Sequence, residues 1–563
     1  MTILTRGAFA WPATTLNYHT GTWRVQRPVH LHGTAPCHGA CPSGEDAQAW
    51  LAKLEEGSAQ AAWQTLVEAN PLPAVTGRIC HHPCESACNR GQYDSAIAIH
   101  HAERWLGDEA LQQQWAYPVA AVAADAPRFA VVGAGPAGLS ASYHLLRQGY
   151  NVTLYDELPV AGGTLRTSLP QYRLPRAVLD AEIERILALG ITFQGHHRLG
   201  REMSIEELRR DYAGLFIAPG RQVGRAWSVD GVTPRDLHHG LELLQEWIAL
   251  GTVTAPASVA IIGGGNTAVD LSRIMKRAGV QQVHLITHQA LPESGQEVVD
   301  VMSAIPREVY QAQEEGVEIH PNRGIRRLIL RGERVVGIEM VRMKKLDRGQ
   351  GRLERVAFSG TETVLHVDQV IPAIGQSLDP AGMERLGATE EGLVVSFWGE
   401  SEHDGIFAGG DARRDSSGTA SAAIGDGRRA ALALVRRLQG QMQPEREVRA
   451  ATVGIEQLNL SYFEPATRPQ QAILPVSERG GEAEIEQGLS EEQVQAEARR
   501  CFSCGNCFAC DNCWTLCPDS AVLKRHEQAS GGAHYQFDLD YCKGCGLCAN
   551  ECPCGYIQME EEM

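Results

Sequence analysis

The apolar and polar positions of the chain fall into stretches of different period. Arg128-Phe-Ala-Val-Val is a short apolar run stopping at Gly133, as a strand buried on both faces does. Apolar residues at helical spacing follow through Leu146, then Gly149, then a second strand from Asn151 to Tyr155 that ends on Asp156. The same succession returns as Ser258–Ile262, an apolar-periodic helix after Gly265, and a strand over Gln282 to Thr287. Asp46 to Glu68 reads as one helical stretch, and Gly405 to Asp411 as a strand ending in an acid before a helix near Ser421 to Arg437. Residues 441–488 lose this periodicity, are rich in Pro, Gln, Glu and Gly, and read as a surface connector. Ser490-x-x-Gln493 then fits a capping box opening a helix that leads to Cys501.

Composition changes the picture at one residue type. Of 16 cysteines, 11 lie in the last 63 residues. They contain two copies of one run, Cys507-x2-Cys510-x2-Cys513-x3-Cys517-Pro518 and Cys542-x2-Cys545-x2-Cys548-x3-Cys552-Pro553. That is the spacing with which four thiolates hold a 4Fe-4S cube, the fourth Cys of each run ligating the other run's cluster. The assignment is Cys507, Cys510, Cys513 and Cys552 for one cluster, and Cys542, Cys545, Cys548 and Cys517 for the other. A zinc site needs four ligands and would leave most of these thiols unused, and a disulfide scaffold belongs to short secreted chains. Cys501, Cys504 and Cys554 fall outside the pattern and receive no role. Iron-sulfur ligation needs reduced thiols, which places the chain in the cytoplasm. Met1 to Leu16 lacks a secretory pattern, and no apolar run is long enough for a transmembrane segment. The formal charge of −17 disfavours a nucleic-acid partner.

Gly133-x-Gly135-x-x-Gly138, with Pro136 and Ala137 opening the helix and Asp156 ending the next strand, has the context of a dinucleotide-binding turn. Gly263-x-Gly265-x-x-Ala268, containing Asn266 and Thr267, is a second. Two such units pair a flavin with a nicotinamide. Gly410 and Asp411 resemble the late element of two-dinucleotide flavoproteins that contacts the flavin's ribityl-phosphate region, against the alternative that Asp411 only caps the following helix. No cysteine occurs between Cys88 and Cys501, so neither nucleotide domain carries a redox dithiol beside its flavin.

Five cysteines remain, as Cys37-x3-Cys41-Pro42 and Cys80-x3-Cys84-x3-Cys88. The run from Pro36 to Asp108 resembles the N-terminal domain of the glutamate synthase small subunit. It is similar to domains in dihydropyrimidine dehydrogenase and in the large subunit of electron-bifurcating NADH-dependent ferredoxin:NADP oxidoreductase. The likeness continues through Gly162-Gly-Thr-Leu-Arg166 and Gln171-Tyr-Arg173-Leu-Pro175 and covers about residues 30–440. It implies FAD, with Gly163, Arg166 and Arg173 among the cofactor contacts. The family carries two N-terminal 4Fe-4S clusters and begins with a further Cys-x2-Cys pair. Val29 and His32 stand at those positions, which implies loss of the cluster that Cys37 and Cys88 would have served. For the second cluster the matching positions are Cys41, Cys80, Cys84 and Glu103; Cys37 or Cys88 could replace the carboxylate. Three clusters are therefore expected. NADPH-using relatives place two arginines where this chain has His288-Gln289, which implies NAD(H) over NADP(H).

The tail resembles the two-cluster small subunit of 2-oxoacid:ferredoxin oxidoreductases, notably in Cys542-Lys-Gly-Cys-Gly-Leu-Cys-Ala-Asn-Glu-Cys552. The implied partner is the catalytic part of a 2-oxoacid:acceptor oxidoreductase, or ferredoxin. Alternatives are a sulfite reductase or glutamate synthase type complex, and a non-catalytic electron-storing subunit. The expected fold is α/β: two nested Rossmann-like dinucleotide-binding domains, an α-helical N-terminal Fe-S domain and a C-terminal α+β ferredoxin-like domain. The expected boundaries are 1–125 for the N-terminal domain, 126–245 with 366–440 for FAD, 246–365 for NAD(P)H, 441–495 for the connector and 496–563 for the ferredoxin. The cofactors carry the chemistry, so no acid-base residue is assigned.

Overall fold

In the computed structural model the described residues are 4–6, 19–233, 237–292, 300–347, 353–447, 449–529 and 532–562. Most of Met1 to Leu16, read above for a leader, lies outside them. Among the described residues no helix is long and apolar enough to cross a membrane.

The chain forms two compact units. The first joins residues 1–118, 442–471 and 488–563, so the N-terminal domain and the ferredoxin tail expected as separate bodies are one. The reason lies in strand pairing. Gln26–His30 runs antiparallel to Ile557–Glu561, and Leu4–Arg6 extends the tail's Val522–Arg525 and Tyr535–Phe537. Val29, the position of a family cysteine, sits in this pairing opposite Gln558, and His32 Nε2 lies 3.0 Å from the Tyr556 hydroxyl. The stretch read as one helix over Asp46–Glu68 is two, Ala47–Glu55 and Ala59–Leu66, broken at Gly57 with φ +77°. Helices Pro73–Ile79 and Ile99–Gln112 cross backbone against backbone: a Cβ on Gly77 would strike the Arg104 amide, and one on Gly107 the Ala74 amide. Cys80 ends the first of these two helices.

The second unit, residues 119–441 with 472–487, holds both nucleotide folds. A five-stranded parallel sheet orders Ile406–Ala408, Gly214–Ile217, Arg128–Val132, Asn151–Tyr155 and Thr192–Gln194. A four-stranded parallel sheet orders Glu318–His320, Gln282–Ile286, Ser258–Ile262 and Gln369–Pro372. Central strands such as Phe129–Val132 and Val259–Ile261 are buried on both faces, which explains their unbroken apolar runs. The connector is not a passive strap: Ile485 enters the nucleotide-unit core, and its amide donates to the Tyr172 carbonyl at 3.0 Å.

Candidate redox sites

The two glycine turns divide their labour alike. A Cβ on Gly133 (φ +97°) would run into the Ala218 carbonyl, and one on Gly138 into the Gly133 carbonyl. These two glycines are required by the protein's own backbone. Gly135 is different: the nearest atom to its Cβ position is the Gly163 Cα at 3.9 Å. In the second turn Gly263 is blocked by the Ala373 carbonyl, whereas Gly265 meets only the Ser303 hydroxyl at 3.6 Å. The middle glycine of each turn thus presents bare backbone at a helix start, the surface a pyrophosphate approaches. Asp156 closes the first turn, its Oδ2 accepting from the Ala134 amide at 2.6 Å and its Oδ1 from Leu158 at 2.8 Å. Burial raises its carboxyl pKa, and these amides oppose the rise.

Other expected contacts separate. Gly163 (φ +52°) packs on the Gly135 backbone, and the Gly162 amide donates to the Ala134 carbonyl at 2.9 Å. Pro136 and Ala137 begin the helix Pro136–Arg147, and Ala268 is buried in helix Asn266–Arg277. Asn266 Oδ1 accepts from the Ile305 amide at 2.9 Å, and Thr267 Oγ1 from Gln376 Nε2 at 3.2 Å. Asp411 does not cap the late helix: Thr419 does so for Ala420–Leu438, while Asp411 accepts from Ser416 Oγ at 2.7 Å beside Gly410 (φ +61°). Arg166 spans the Ala161 carbonyl and Asp180.

Arg173 corrects the expectation. Its side chain is 4% exposed, held at 2.6 Å by Asp270 and at 3.1 Å by Glu308. Arg273, Arg277 and Glu315 continue the network, with Tyr172 beneath both arginines. The Gln171–Pro175 segment thus fastens one nucleotide fold to the other.

At the nicotinamide strand end, Gln289 Nε2 donates to the Val301 carbonyl at 2.9 Å, and its amide oxygen lies over Gly264. His288 is half-buried. Burial, then Arg355, lowers its pKa, with a further push from Lys345 and opposition from Asp300. Those two cations were not visible as neighbours in the sequence. Arg355 is engaged by Asp300 at 2.6 Å.

In the first unit, Cys517 lines one cavity with Cys542, Cys545 and Cys548, so the fourth thiol of one run lies with three of the other. Cys552 is a charged neighbour of Cys507, Cys510 and Cys513. Burial pushes Cys548 up to about 12 and Cys513 well up. Cys552 is lowered to about 6, first by the Cys554 thiol 3.8 Å away. The thiolate is the form that binds iron, so each of these sets would release protons on taking up a cluster.

Cys84 has Cys41, Cys80 and Glu103 among its charged neighbours. Glu103 is 4% exposed, and its Oε1 accepts from Thr76 Oγ1 and, at 3.1 Å, from Asn70 Nδ2. The His82 amide donates to Cys80 Sγ at 3.3 Å. These four donors could hold a cluster with one carboxylate corner. Sequence reasoning missed Glu45, whose buried carboxylate shares Asn70 with Glu103 and is pushed by burial up to about 7. Its signal is that shared amide, which no spacing rule reveals. Cys37 and Cys88 face a different group, Cys501 and Cys504.

Two open dinucleotide turns in one unit and clustered cysteines in the other are the features of an NAD(P)H-dependent iron-sulfur flavoprotein. Residues 127–427 match the pyridine nucleotide-disulphide oxidoreductase family, and the chain belongs to it. Residues 24–115 match the dihydropyrimidine dehydrogenase domain II, 4Fe-4S cluster family, and 506–556 the 4Fe-4S dicluster domain. The chain is 33% identical over 516 residues to the NADP(+)-dependent formate dehydrogenase subunit beta of Moorella thermoacetica, covering 84% of this chain and 70% of that one. It is 30% identical to the NADPH-Fe(3+) oxidoreductase subunit beta of Geobacter sulfurreducens, covering 87% and 78%. It is 29% identical to the NAD-dependent dihydropyrimidine dehydrogenase subunit PreT of Escherichia coli O157:H7, covering 72% and 92%. The chain is thus an oxidoreductase that binds FAD and NAD(P) and carries 4Fe-4S clusters.

Proposed function

We propose that the chain exchanges electrons between NAD(H) and a partner protein, with the FAD turn at Gly133–Gly138 and the nicotinamide turn at Gly263–Ala268. When bound, FAD trades hydride with the nicotinamide and single electrons with clusters, so the cofactors carry the chemistry. The residues bind and orient: Gly135 and Gly265 offer backbone to the two pyrophosphates, and Asp156 fixes the first turn. Cys41, Cys80, Cys84 and Glu103 hold one cluster; Cys507, Cys510, Cys513 and Cys552 a second; Cys542, Cys545, Cys548 and Cys517 a third. The observation that carries this reading is the absence of cysteine from residues 89–500, around both open turns. With no dithiol at either turn, the cysteines of the first unit are the residues that would hold acceptor clusters. The open middle glycine of the second turn speaks against a merely electron-storing subunit.

NAD(H) is preferred because Gln289 is already committed and burial with Arg355 lowers the His288 pKa, which disfavours its cationic form. Arg355 is held by Asp300, and among the described residues Lys345 is a further cation near His288. The partner is a catalytic subunit of a 2-oxoacid:acceptor oxidoreductase or ferredoxin, supported by the Cys542–Cys552 likeness and by relatives named as subunits of larger enzymes. Reduced thiol ligands fit a cytoplasmic setting. Anaerobic addition of NADH to the isolated chain should bleach the flavin absorbance, and affinity purification should recover the partner. Flavin that stays oxidised with both nucleotides would refute the reading.

A further inference from the structure

Cys37, Cys88, Cys501 and Cys504 converge from three distant segments, and spacing alone gave the last two no function. Cys37 lies in helix Pro36–Ala40, Cys88 precedes the turn Asn89–Gln92, and Cys501 ends helix Glu491–Arg500. Cys37 has the thiols of Cys501, Cys88 and Cys504 as electrostatic neighbours, and Cys501 has those of Cys504 and Cys88. Asn89, 4% exposed and adjacent to Cys88, donates from Nδ2 to Cys504 Sγ at 3.4 Å and to the Val453 carbonyl at 3.0 Å. The Ser503 amide points at Cys501 Sγ from 3.5 Å, repeating the relation of His82 to Cys80.

We infer that Cys37, Cys88, Cys501 and Cys504 form an additional 4Fe-4S site, with Cys501-x2-Cys504 standing in for the N-terminal pair replaced by Val29 and His32.

Three features support a cluster over idle thiols or zinc. The segment carrying the pair is clamped to the N-terminal module: Arg500 reaches Asp94 at 3.0 Å, Arg90 donates to the Arg500 carbonyl, and Arg90 lies 4.9 Å over the Phe502 ring. Glu497 accepts from the Ala98 amide at 2.7 Å on the same helix. The anchoring fixes where the two sulfurs stand, as a ligand set requires. A single zinc ion with about 2.3 Å bonds draws its sulfurs to roughly 4 Å of one another. Among the described residues, the set of three donors within 4.8 Å of each other is His284, Glu318 and His320, and no three of these thiols meet that limit. A cube, with one iron per thiolate, spans the wider set. Each thiol gives up its proton on binding iron.

The site also fills a gap in the chain of clusters. Cys37 is one helical turn from Cys41, about 6 Å along the axis, and Cys504 is three residues from Cys507, at most about 11 Å. It therefore stands between the N-terminal and the tail sets.

Iron, sulfide and zinc analysis of the anaerobically purified full chain tests this. About sixteen irons per FAD are expected, falling to about twelve in the Cys501→Ala, Cys504→Ala double variant with FAD retained. About twelve irons in the unaltered chain, zinc near one per chain in place of the missing irons, or sixteen irons unchanged in the double variant would each overturn the site. Should the double variant not fold, Cys504→Ser keeps a donor atom and is read by electron paramagnetic resonance. One altered cluster signal with the others unchanged supports the site, and a spectrum identical to the unaltered chain's contradicts it.

Discussion

In the tail, each proposed thiol set draws three members from seven consecutive residues and one from the other run, whereas the proposed donors of the N-terminal module come from residues 37–41, 80–88, 103 and 501–504. The tail needs only tight turns, such as those around Gly544 and Gly546 with φ +72° and +78°. The module needs helices crossing at Gly77 and Gly107, and a chain end returning from over 400 residues away. Damage to the first kind of set should stay local, and damage to the second should spread.

The largest effect is expected where the module's helices touch. Gly107→Val forces side-chain atoms into the Ala74 backbone. It should cost more than about 4 kcal/mol, the range reserved for overpacking against immovable neighbours. Loss of the N-terminal clusters and a collapsed first-unit transition in calorimetry should accompany it; normal iron content would break the contrast.

The nucleotide unit repeats the contrast between its local glycine turns and the long-range Arg173 pairings. Arg173→Ala leaves Asp270 and Glu308 buried without their cation and should destabilise that unit by about 3–5 kcal/mol. FAD affinity of the folded fraction should be nearly unchanged. Gly135→Ala should do the reverse, because its Cβ meets no protein atom closer than 3.9 Å: normal melting, weakened FAD binding. Equilibrium melts and flavin titrations of the two variants separate these outcomes.

For the tail, Cys545→Ala should remove one cluster, about four irons, and block delivery to the partner. NADH-driven dye reduction through the flavin should persist. Loss of dye reduction with normal FAD content would show that the tail set is not local in effect.

The smallest effect concerns the nicotinamide pocket. Without an arginine pair, each absent charge-assisted bond of about 1.5–3 kcal/mol should leave kcat/KM for NADH about tenfold or more above that for NADPH. His288→Arg with Gln289→Arg should narrow the ratio. Because the His288 pKa is lowered, its imidazole gains a proton only below the usual range near 6.5. NADPH use should therefore rise only as pH falls below the usual imidazole range. A rise already complete at pH 7 would mean that Arg355 or Lys345 reads the phosphate instead.

What the sequence made legible follows the same line. Strand Asn151–Tyr155 and the Ser490 capping box stand as periodicity and spacing read them. Each is set by neighbours within a few residues. Arg173 was misread because a motif records that a residue matters, not what it touches. Cys501 and Cys504 were passed over because their partners lie at the other end of the chain. The helical stretch Asp46–Glu68 is two helices because one Gly at φ +77° breaks an otherwise even pattern.

The most direct test of the account is an anaerobic titration of the full chain with NADH, following flavin and iron-sulfur absorbance together. The account predicts that the flavin bands fall first and the broader cluster absorbance follows, with more than one NADH consumed per FAD. Uptake that stops at one NADH per FAD, with the clusters still oxidised, would contradict it.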